Sequence, residues 1–210
     1  RVLMEKSAAT IKRLSLELGG NAPLIVFDDA DLQNAVKGVM DSKFRNAGQT
    51  CVCANRIFVQ EGIHDRFVEE LSREVARLRV GDGRDPLTNQ GPLISVSAVE
   101  KVESHIADAT ARGATVVTGG GRSELGGTFF SPTLLIGATK DMQIAHEETF
   151  GPVAPIFKFS TEEEAIALAN NTEFGLAGYF FSRDIGRITR VSEALEVGVV
   201  GVNTGLISYE

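Results

Sequence analysis

Residues 23–40 read Pro-Leu-Ile-Val-Phe-Asp-Asp-Ala-Asp-Leu-Gln-Asn-Ala-Val-Lys-Gly-Val-Met and predict a strand that is followed at once by a helix. The apolar run at residues 23–27 is short and continuous, as in a buried strand. The acidic residues at 28–31 are good helix caps. Apolar side chains then recur at helical spacing, at Leu32, Ala35, Val36, Val39 and Met40. This helix leads directly into a loop that contains both cysteines.

The remaining sequence alternates between strand and helix patterns. Strands are predicted at residues 14–18, 56–60, 114–118, 179–182 and 197–202, and helices at 67–78, after a Ser97/Glu100 capping box, after a Thr161/Glu164 capping box, and at 185–195. Such alternation predicts an α/β fold, with a largely parallel twisted sheet covered by helices. Because no repeat or low-complexity linker interrupts the pattern, we expect residues 1–210 to form one domain.

Composition excludes several classes of partner. The formal net charge is −7 and the Lys and Arg residues are not clustered, whereas phosphate backbones and anionic membranes are bound by basic patches. There is no apolar stretch of about 18 residues that would span a membrane. We therefore expect no nucleic acid and no membrane as a partner.

The two cysteines stand at positions 51 and 53, too close in sequence to join distant segments as secreted disulfide frameworks do. This spacing favours a reducing, cytoplasmic compartment. The chain starts on Arg1 without a signal segment, which we interpret as an excised piece of a longer protein.

Glycine and histidine patterns do not predict a phosphate or metal site. The glycines at 119–121 and 126–127 lack the order of a phosphate-binding loop and are typical of turns between strands. The three histidines, His64, His105 and His146, are far apart and none has metal-ligand spacing. His146 with its two following glutamates is interpreted as a solvated acidic turn.

Cys51 is the best candidate nucleophile. The preceding Gly-Gln-Thr supplies a backbone bend that a packed core cysteine does not need. A free thiol of pKa about 8.5 is only a few per cent thiolate at neutral pH. Arg45, Arg56 or a helix beginning after Cys51 would lower that pKa, and no histidine is close enough in sequence to act as the base. If the substrate carries a carbonyl, the thiolate adds to it and the backbone N–H of Cys51 stabilises the oxyanion.

Four segments resemble the aldehyde dehydrogenase superfamily in order and approximate spacing: residues 17–23, 48–51, 147–152 and 174–176. The resemblance implies that residues 1–210 cover the catalytic domain and omit an upstream dinucleotide domain and a C-terminal tail. It also implies NAD or NADP as the cofactor, an aldehyde as the substrate and a homo-oligomeric full-length protein.

The resemblance assigns roles to five residues. Cys51 corresponds to the nucleophile that accepts the acyl group, and Glu17 to the general base that activates water for hydrolysis of the thioester. Glu148 corresponds to the glutamate that binds the nicotinamide ribose, Phe150 to the aromatic ring beside the nicotinamide, and Leu18 to a backbone contact. In a predicted apolar strand, burial would raise the pKa of Glu17 towards the working pH. From burial preferences alone, Glu17 and Glu148 would be surface charges and Phe150 a core residue.

Residues 44–53 and 202–208 most resemble the succinate-semialdehyde dehydrogenases of that superfamily. Arg45 and Ser208 would then hold the far carboxylate of the substrate, although other semialdehydes stay open and Arg45 alone also fits a surface charge. Cys53 matches a position at which some relatives form a disulfide with the catalytic cysteine, so Cys51 and Cys53 form a candidate redox switch. A small buried thiol is the alternative for Cys53.

Two other classes of function are compatible with the cysteines, and a purely structural fragment with little or no dehydrogenase activity of its own is a third alternative. A coenzyme A-acylating dehydrogenase would use the same thiol but has no need of Glu17. A redox-sensing thiol module would use Cys51 and Cys53 without any aldehyde.

Overall fold

The computed structural model describes residues 1–207, and its strands form one seven-stranded sheet. The strands are β1 Ala22–Val26, β2 Ala54–Gln60, β3 Thr115–Thr118, β4 Thr133–Ile136, β5 Val153–Phe159, β6 Ala177–Phe181 and β7 Val199–Val202. Their order across the sheet is β3-β4-β5-β2-β1-β6-β7. Neighbouring strands are parallel except β3 and β4, which are antiparallel. The predicted largely parallel α/β fold is confirmed.

Helices cover both faces of this sheet. The α-helices are α1 Val2–Ala8, α2 Leu32–Val39, α3 His64–Ala76, α4 Val96–Ala111, α5 Gln143–His146, α6 Glu162–Asn170 and α7 Ile185–Ala194. Of these, α1 buries none of its residues and does not pack on the sheet. Leu24 and Val26 of β1 belong to a core shared with α2 and α3, whereas Ile25 packs in a second core with α4, α6 and α7. Because successive side chains of a strand point to opposite faces, β1 must be apolar throughout. Within residues 1–207, no helix is long and apolar enough to cross a membrane.

The two predicted capping boxes have different outcomes. Thr161 caps α6 as predicted, since its side chain accepts the N–H of Glu164 at 3.2 Å. The prediction for Ser97 is wrong by two residues, because Ser95 is the cap of α4 and accepts the N–H of Ala98 at 3.1 Å. The Ser97 side chain instead lies 2.8 Å from that of Ser95, inside the first turn.

The strand predicted at residues 14–18 is wrong. Residues 12–21 lie outside helix and strand, and the alternating leucines Leu14, Leu16 and Leu18 are exposed. A strand needs a free neighbouring edge for its backbone hydrogen bonds. The nearest strand in sequence, β1, already pairs with β2 on one side and with β6 on the other.

Sequence reasoning missed β4 and β5, although it found the other strands to within one or two residues. Pro155 lies in the middle of β5 and pairs with Leu135 of β4. A proline removes a ladder donor and argues against a central strand, so the pattern was misleading here. The glycines between β3 and β4 form turns as predicted, since Gly119, Gly120, Gly126 and Gly127 all have positive φ.

Arg56 of β2 joins three parts of the chain inside the core. It is 2% exposed, and its guanidinium donates to the carbonyls of Asn21 (3.0 Å), Leu168 (2.9 Å) and Ala169 (2.8 Å). Burial lowers the pKa of Arg56 to about 10. These bonds satisfy carbonyls in the last turn of α6 and hold the chain just before β1. Arg56 therefore binds backbone carbonyls. Its role is structural, and the expectation that it activates the thiol of Cys51 is wrong.

Replacing Arg56 by methionine is expected to lower the free energy of unfolding by about 3 kcal/mol, because three buried carbonyls lose their donor. Urea unfolding followed by circular dichroism measures this change. Arg73→Met is the control, since Arg73 lies on the exposed side of α3 and forms its ion pairs within residues 1–207 with Glu69 and Glu70. It should change stability by less than about 0.5 kcal/mol. Equal effects of the two substitutions would contradict the role of Arg56.

Candidate active site

The four segments singled out in the sequence meet at one edge of the sheet. Gly20 stands just before β1, Cys51 just before β2, Gly151 just before β5, and Leu176 just before β6. These four strands are parallel neighbours, so their amino ends lie together. Open α/β sheets usually bind ligands at the carboxyl edge. Here the candidate residues collect at the amino edge instead.

Gly19 and Gly20 form the junction of the four segments. A methyl group added to Gly20 would lie 2.1 Å from the carbonyl oxygen of Cys51 and 3.8 Å from the side chain of Leu176. A methyl group on Gly19 would lie 2.9 Å from the Glu148 carboxylate and 3.5 Å from the ring of Phe174. At Gly20 the neighbour is a backbone carbonyl, so only glycine allows this close approach.

Glu148 is tied to this junction by a hydrogen bond. The backbone N–H of Gly20 donates to its carboxylate at 3.0 Å. Three residues later, the carbonyl oxygen of Gly151 would lie 2.2 Å from a methyl group on Gly48, in the cysteine loop. The segment that carries Glu148 therefore touches both the Gly19–Gly20 junction and the cysteine loop. Phe150, between them, has a left-handed φ of 52° and is 36% exposed, so it is not the core residue that burial preferences suggest.

The cysteine loop is strongly bent. Asn46, Ala47 and Gly48 all have positive φ, so the bend expected from Gly-Gln-Thr is present and begins two residues earlier. The N–H of Cys53 donates to the carbonyl of Thr50 at 3.1 Å and closes a turn around Cys51, which is half-buried. Strand β2 follows at Ala54, so no helix begins after Cys51, contrary to one of the considered ways of lowering its pKa.

Cys53 faces the interior and contacts Lys43, a residue that sequence reasoning missed. The Sγ of Cys53 lies 3.3 Å from the Nζ of Lys43, which also donates to Asn55 at 2.8 Å. Burial raises the pKa of the Cys53 thiol, and the neighbouring Lys43 opposes this. Both cysteines are free thiols. Cys53 matches the buried-thiol alternative, and its disulfide with Cys51 stays a prediction.

Glu17 and Leu18 line an open pocket of about 440 Å³ with Phe174 and Leu176. Leu18 is 68% exposed, and Glu17 is exposed as well. The expectation that an apolar strand buries Glu17 is therefore wrong, because residues 14–18 have no strand partner. An exposed carboxylate on the wall of a pocket is instead open to water.

Arg45 does not line the pocket of Glu17 and Leu18. Its exposed side chain borders a shallow concavity together with Thr50, Tyr179 and Ile207. Ser208, its predicted partner, lies outside the described residues.

His146 and Glu147 are exposed, as predicted for an acidic turn, whereas Glu148 is half-buried. Among residues 1–207 there is no group of three or more His, Cys, Asp or Glu that could hold a metal ion. The thiol of Cys51 and the carboxylates of Glu17 and Glu148 thus lie at one edge of the sheet. Such a site is suited to catalysis through a covalent bond to sulfur.

Comparison with known proteins agrees with this class. The model of the aldehyde dehydrogenase family matches residues 1–210. The chain is 60% identical over its whole length to 3-sulfolactaldehyde dehydrogenase of Pseudomonas putida and to the NADP(+) succinate-semialdehyde dehydrogenase of Escherichia coli K12. The crystal structure of succinate-semialdehyde dehydrogenase from Burkholderia pseudomallei superposes with a TM-score of 0.98 at 61% identity and covers 100% of the chain.

The chain belongs to the aldehyde dehydrogenase family. It spans 43% of the length of the Pseudomonas putida relative, 44% of the Escherichia coli relative and 43% of the Burkholderia structure.

Replacing Gly20 by alanine is expected to displace the cysteine loop, because the new methyl group would overlap the carbonyl of Cys51. We expect a loss of about 2 kcal/mol in the free energy of unfolding, typical of overpacking, and a changed rate of Cys51 alkylation by iodoacetamide. Mass spectrometry of the Cys51 peptide measures that rate. Gly83→Ala is the control, since a methyl group there meets nothing within 4 Å. A Gly20→Ala protein that matches the control in both measurements would show that the junction tolerates a side chain.

Proposed function

We propose that the complete protein oxidises an aldehyde to its carboxylic acid with NAD or NADP. The supporting observation is the junction at Gly19–Gly20, which brings the Cys51 loop, the Glu17 segment and Glu148 into contact. These are the parts that such an oxidation needs: a nucleophile, a base and a holder for the cofactor. Membership in the aldehyde dehydrogenase family supports the same reaction.

Cys51 is the proposed nucleophile. Its thiolate adds to the carbonyl carbon, and the resulting oxyanion accepts a hydrogen bond from the backbone N–H of Cys51. A nicotinamide held by Glu148 would supply the acceptor for the hydride that leaves that carbon. A thioester on Cys51 remains, and its hydrolysis releases the acid and regenerates the thiol.

Glu17 is the proposed general base for this hydrolysis. It removes a proton from the water that attacks the thioester. Its exposed carboxylate on the wall of the 440 Å³ pocket supports this role through access to water. The role rests on this access to water.

The nicotinamide end of the cofactor fits the chemistry of the residues around Gly19. A carboxylate accepts hydrogen bonds from ribose hydroxyls, and one Glu148 oxygen accepts the N–H of Gly20 while the other faces Gly19. Leu18 and Phe150 both expose apolar surface nearby. We therefore propose that Glu148 holds the ribose and that Phe150 and the Leu18 backbone contact the nicotinamide.

The proposed substrate is an aldehyde with an anionic group at its far end, held by Arg45 and Ser208. Arginine binds carboxylates and other oxyanions through paired donors. The relatives at 60% identity are named for succinate semialdehyde and 3-sulfolactaldehyde, which both carry such a group. Succinate semialdehyde is the first candidate because residues 44–53 and 202–208 resemble the succinate-semialdehyde dehydrogenases. 3-Sulfolactaldehyde is the second candidate because the chain is equally identical in sequence to the two relatives.

The redox-sensing module is not favoured, since the family and the relatives are dehydrogenases. A regulatory disulfide between Cys51 and Cys53 stays a prediction within the enzyme. We also propose that residues 1–210 form one catalytic domain of a homo-oligomer in a reducing cytoplasm, which the two free thiols support.

Replacing Glu17 by glutamine is expected to separate acylation from hydrolysis. In stopped-flow experiments on the complete protein, the variant should keep a burst of about one NAD(P)H per site, while steady-state turnover falls about 100-fold. Cys51→Ala should abolish both phases. Glu173→Gln is the matched control, since Glu173 is another exposed carboxylate on the same pocket wall. Undiminished turnover of the Cys51→Ala variant would overturn the proposed function. Undiminished turnover of the Glu17→Gln variant would overturn the choice of Glu17 as the base.

Replacing Arg45 by methionine should act on anionic aldehydes only. We expect KM for succinate semialdehyde, glutarate semialdehyde and 3-sulfolactaldehyde to rise at least about tenfold, as when a charge-assisted pair is lost, while KM for butanal changes less than about twofold. Arg84→Met is the control, because Arg84 is exposed and pairs with Asp82. Equal wild-type efficiency on butanal and on the anionic aldehydes would contradict the substrate class, and the preferred anion would decide between the two candidates.

A further inference from the structure

His105 of α4 contacts both neighbours of Glu148. One ring nitrogen, Nδ1, lies 3.2 Å from the hydroxyl of Thr149, and the other, Nε2, lies 3.3 Å from the carboxylate of Glu147. His105 and Thr149 are each 1% exposed. Both ring nitrogens of a buried histidine are thus used on the two residues that flank the proposed ribose-binding glutamate.

The backbone explains why holding the flanking residues orients Glu148. Glu147 has an extended conformation, with φ of −105° and ψ of 136°. In an extended segment, alternate side chains point to the same side and the one between them points away. His105 engages residues 147 and 149 from the side of α4. Glu148 is therefore directed to the other side, where the N–H of Gly20 meets its carboxylate.

Helix α4 also packs against the segment 147–151 at a second point, one helical turn before His105. A methyl group added to Gly151 would lie 2.4 Å from Val102. The segment 147–151 is thus fixed against α4 at both ends, and His105 supplies the polar part of that attachment.

The hydrogen-bond chemistry requires one form of the ring. An ionised carboxylate only accepts hydrogen bonds, so Nε2 carries the proton and donates to Glu147, while Nδ1 accepts from the Thr149 hydroxyl. Burial lowers the pKa of His105, with Glu147 and Asp108 opposing and Lys101 adding to the decrease. The ring is therefore neutral at neutral pH, as this pattern of one donor and one acceptor demands.

We infer that His105 is a positioning residue for cofactor binding, which clamps Glu147 and Thr149 so that the Glu148 carboxylate faces the nicotinamide ribose. The inference rests on the proposed function, since it takes Glu148 to be the ribose ligand. It assigns a role to a helix that contributes no residue to the proposed chemistry.

A double-mutant cycle on the complete protein tests this role. Binding of NAD+ and NADP+ is measured by titration calorimetry, and KM and kcat are measured with succinate semialdehyde. His105→Leu is expected to weaken binding of the preferred dinucleotide about fivefold, the effect of one lost hydrogen bond, with KM for the aldehyde nearly unchanged. In a Glu148→Ala background, the same substitution should have almost no further effect, because the residue that it positions is gone.

Two further variants keep the test decisive. His105→Gln retains an N–H donor for Glu147 and should recover part of the affinity, and it replaces His105→Leu if the latter does not fold. His64→Leu is the matched control, since His64 is also buried and bonded to a carboxylate, that of Asp65 at 2.7 Å, but on α3. It should leave dinucleotide affinity unchanged.

The outcomes separate the two proposals. A wild-type protein that binds neither dinucleotide overturns the proposed function. If the wild-type protein binds a dinucleotide, two results would overturn the role of His105 and leave the proposed function intact. Either His105→Leu does not change dinucleotide affinity, or it lowers this affinity as much in the Glu148→Ala background as in the wild type.

Discussion

The contact between the Gly20 backbone and the carbonyl of Cys51 is the constraint on which the site depends. No side chain fits between them, since even a methyl group would lie 2.1 Å from the oxygen. The cysteine loop can therefore rest on the start of β1, and the N–H of Gly20 is left to bind Glu148 at 3.0 Å. Because β1 is flanked by β2 and β6, this one glycine lies where three strand starts meet.

The opposite edge of the sheet is closed by polar bonds. Just beyond the carboxyl end of β1, the carboxylate of Asp29 accepts hydrogen bonds from the side chain of Ser182 (2.8 Å) and the N–H groups of Arg183 (2.7 Å) and Asp184 (2.9 Å). Burial would raise the pKa of Asp29, but these bonds and Arg187 outweigh it and lower the pKa. These hydrogen bonds of Asp29 stabilise the carboxyl ends of β1 and β6. The amino edge carries the open pocket beside Glu17 instead.

Local patterns in the sequence predicted most of the secondary structure, whereas the four site segments were identified by their resemblance to the aldehyde dehydrogenase superfamily. Caps, helical spacing and short apolar runs are local properties, so β1, β2, α3 and α6 could be predicted from them. The spatial order of the strands is not local, and the meeting of Gly20, Cys51 and Glu148 follows only from that order. The error at residues 14–18 has the same origin, because alternation indicates an extended chain but not whether a neighbouring edge is free. Lys43 and His105 were missed because their partners lie 10 and more than 40 residues away in sequence.

Gly20 and Glu148 are 128 positions apart in the chain. A bond across that separation cannot form until β1, β2 and β5 have paired, so no early, locally folded intermediate contains the assembled site. Conversely, the transient opening of any one of these strands disassembles it. Loss of the proposed activity would thus be an early and sensitive reporter of partial unfolding, preceding any large change in the average helical content of the molecule.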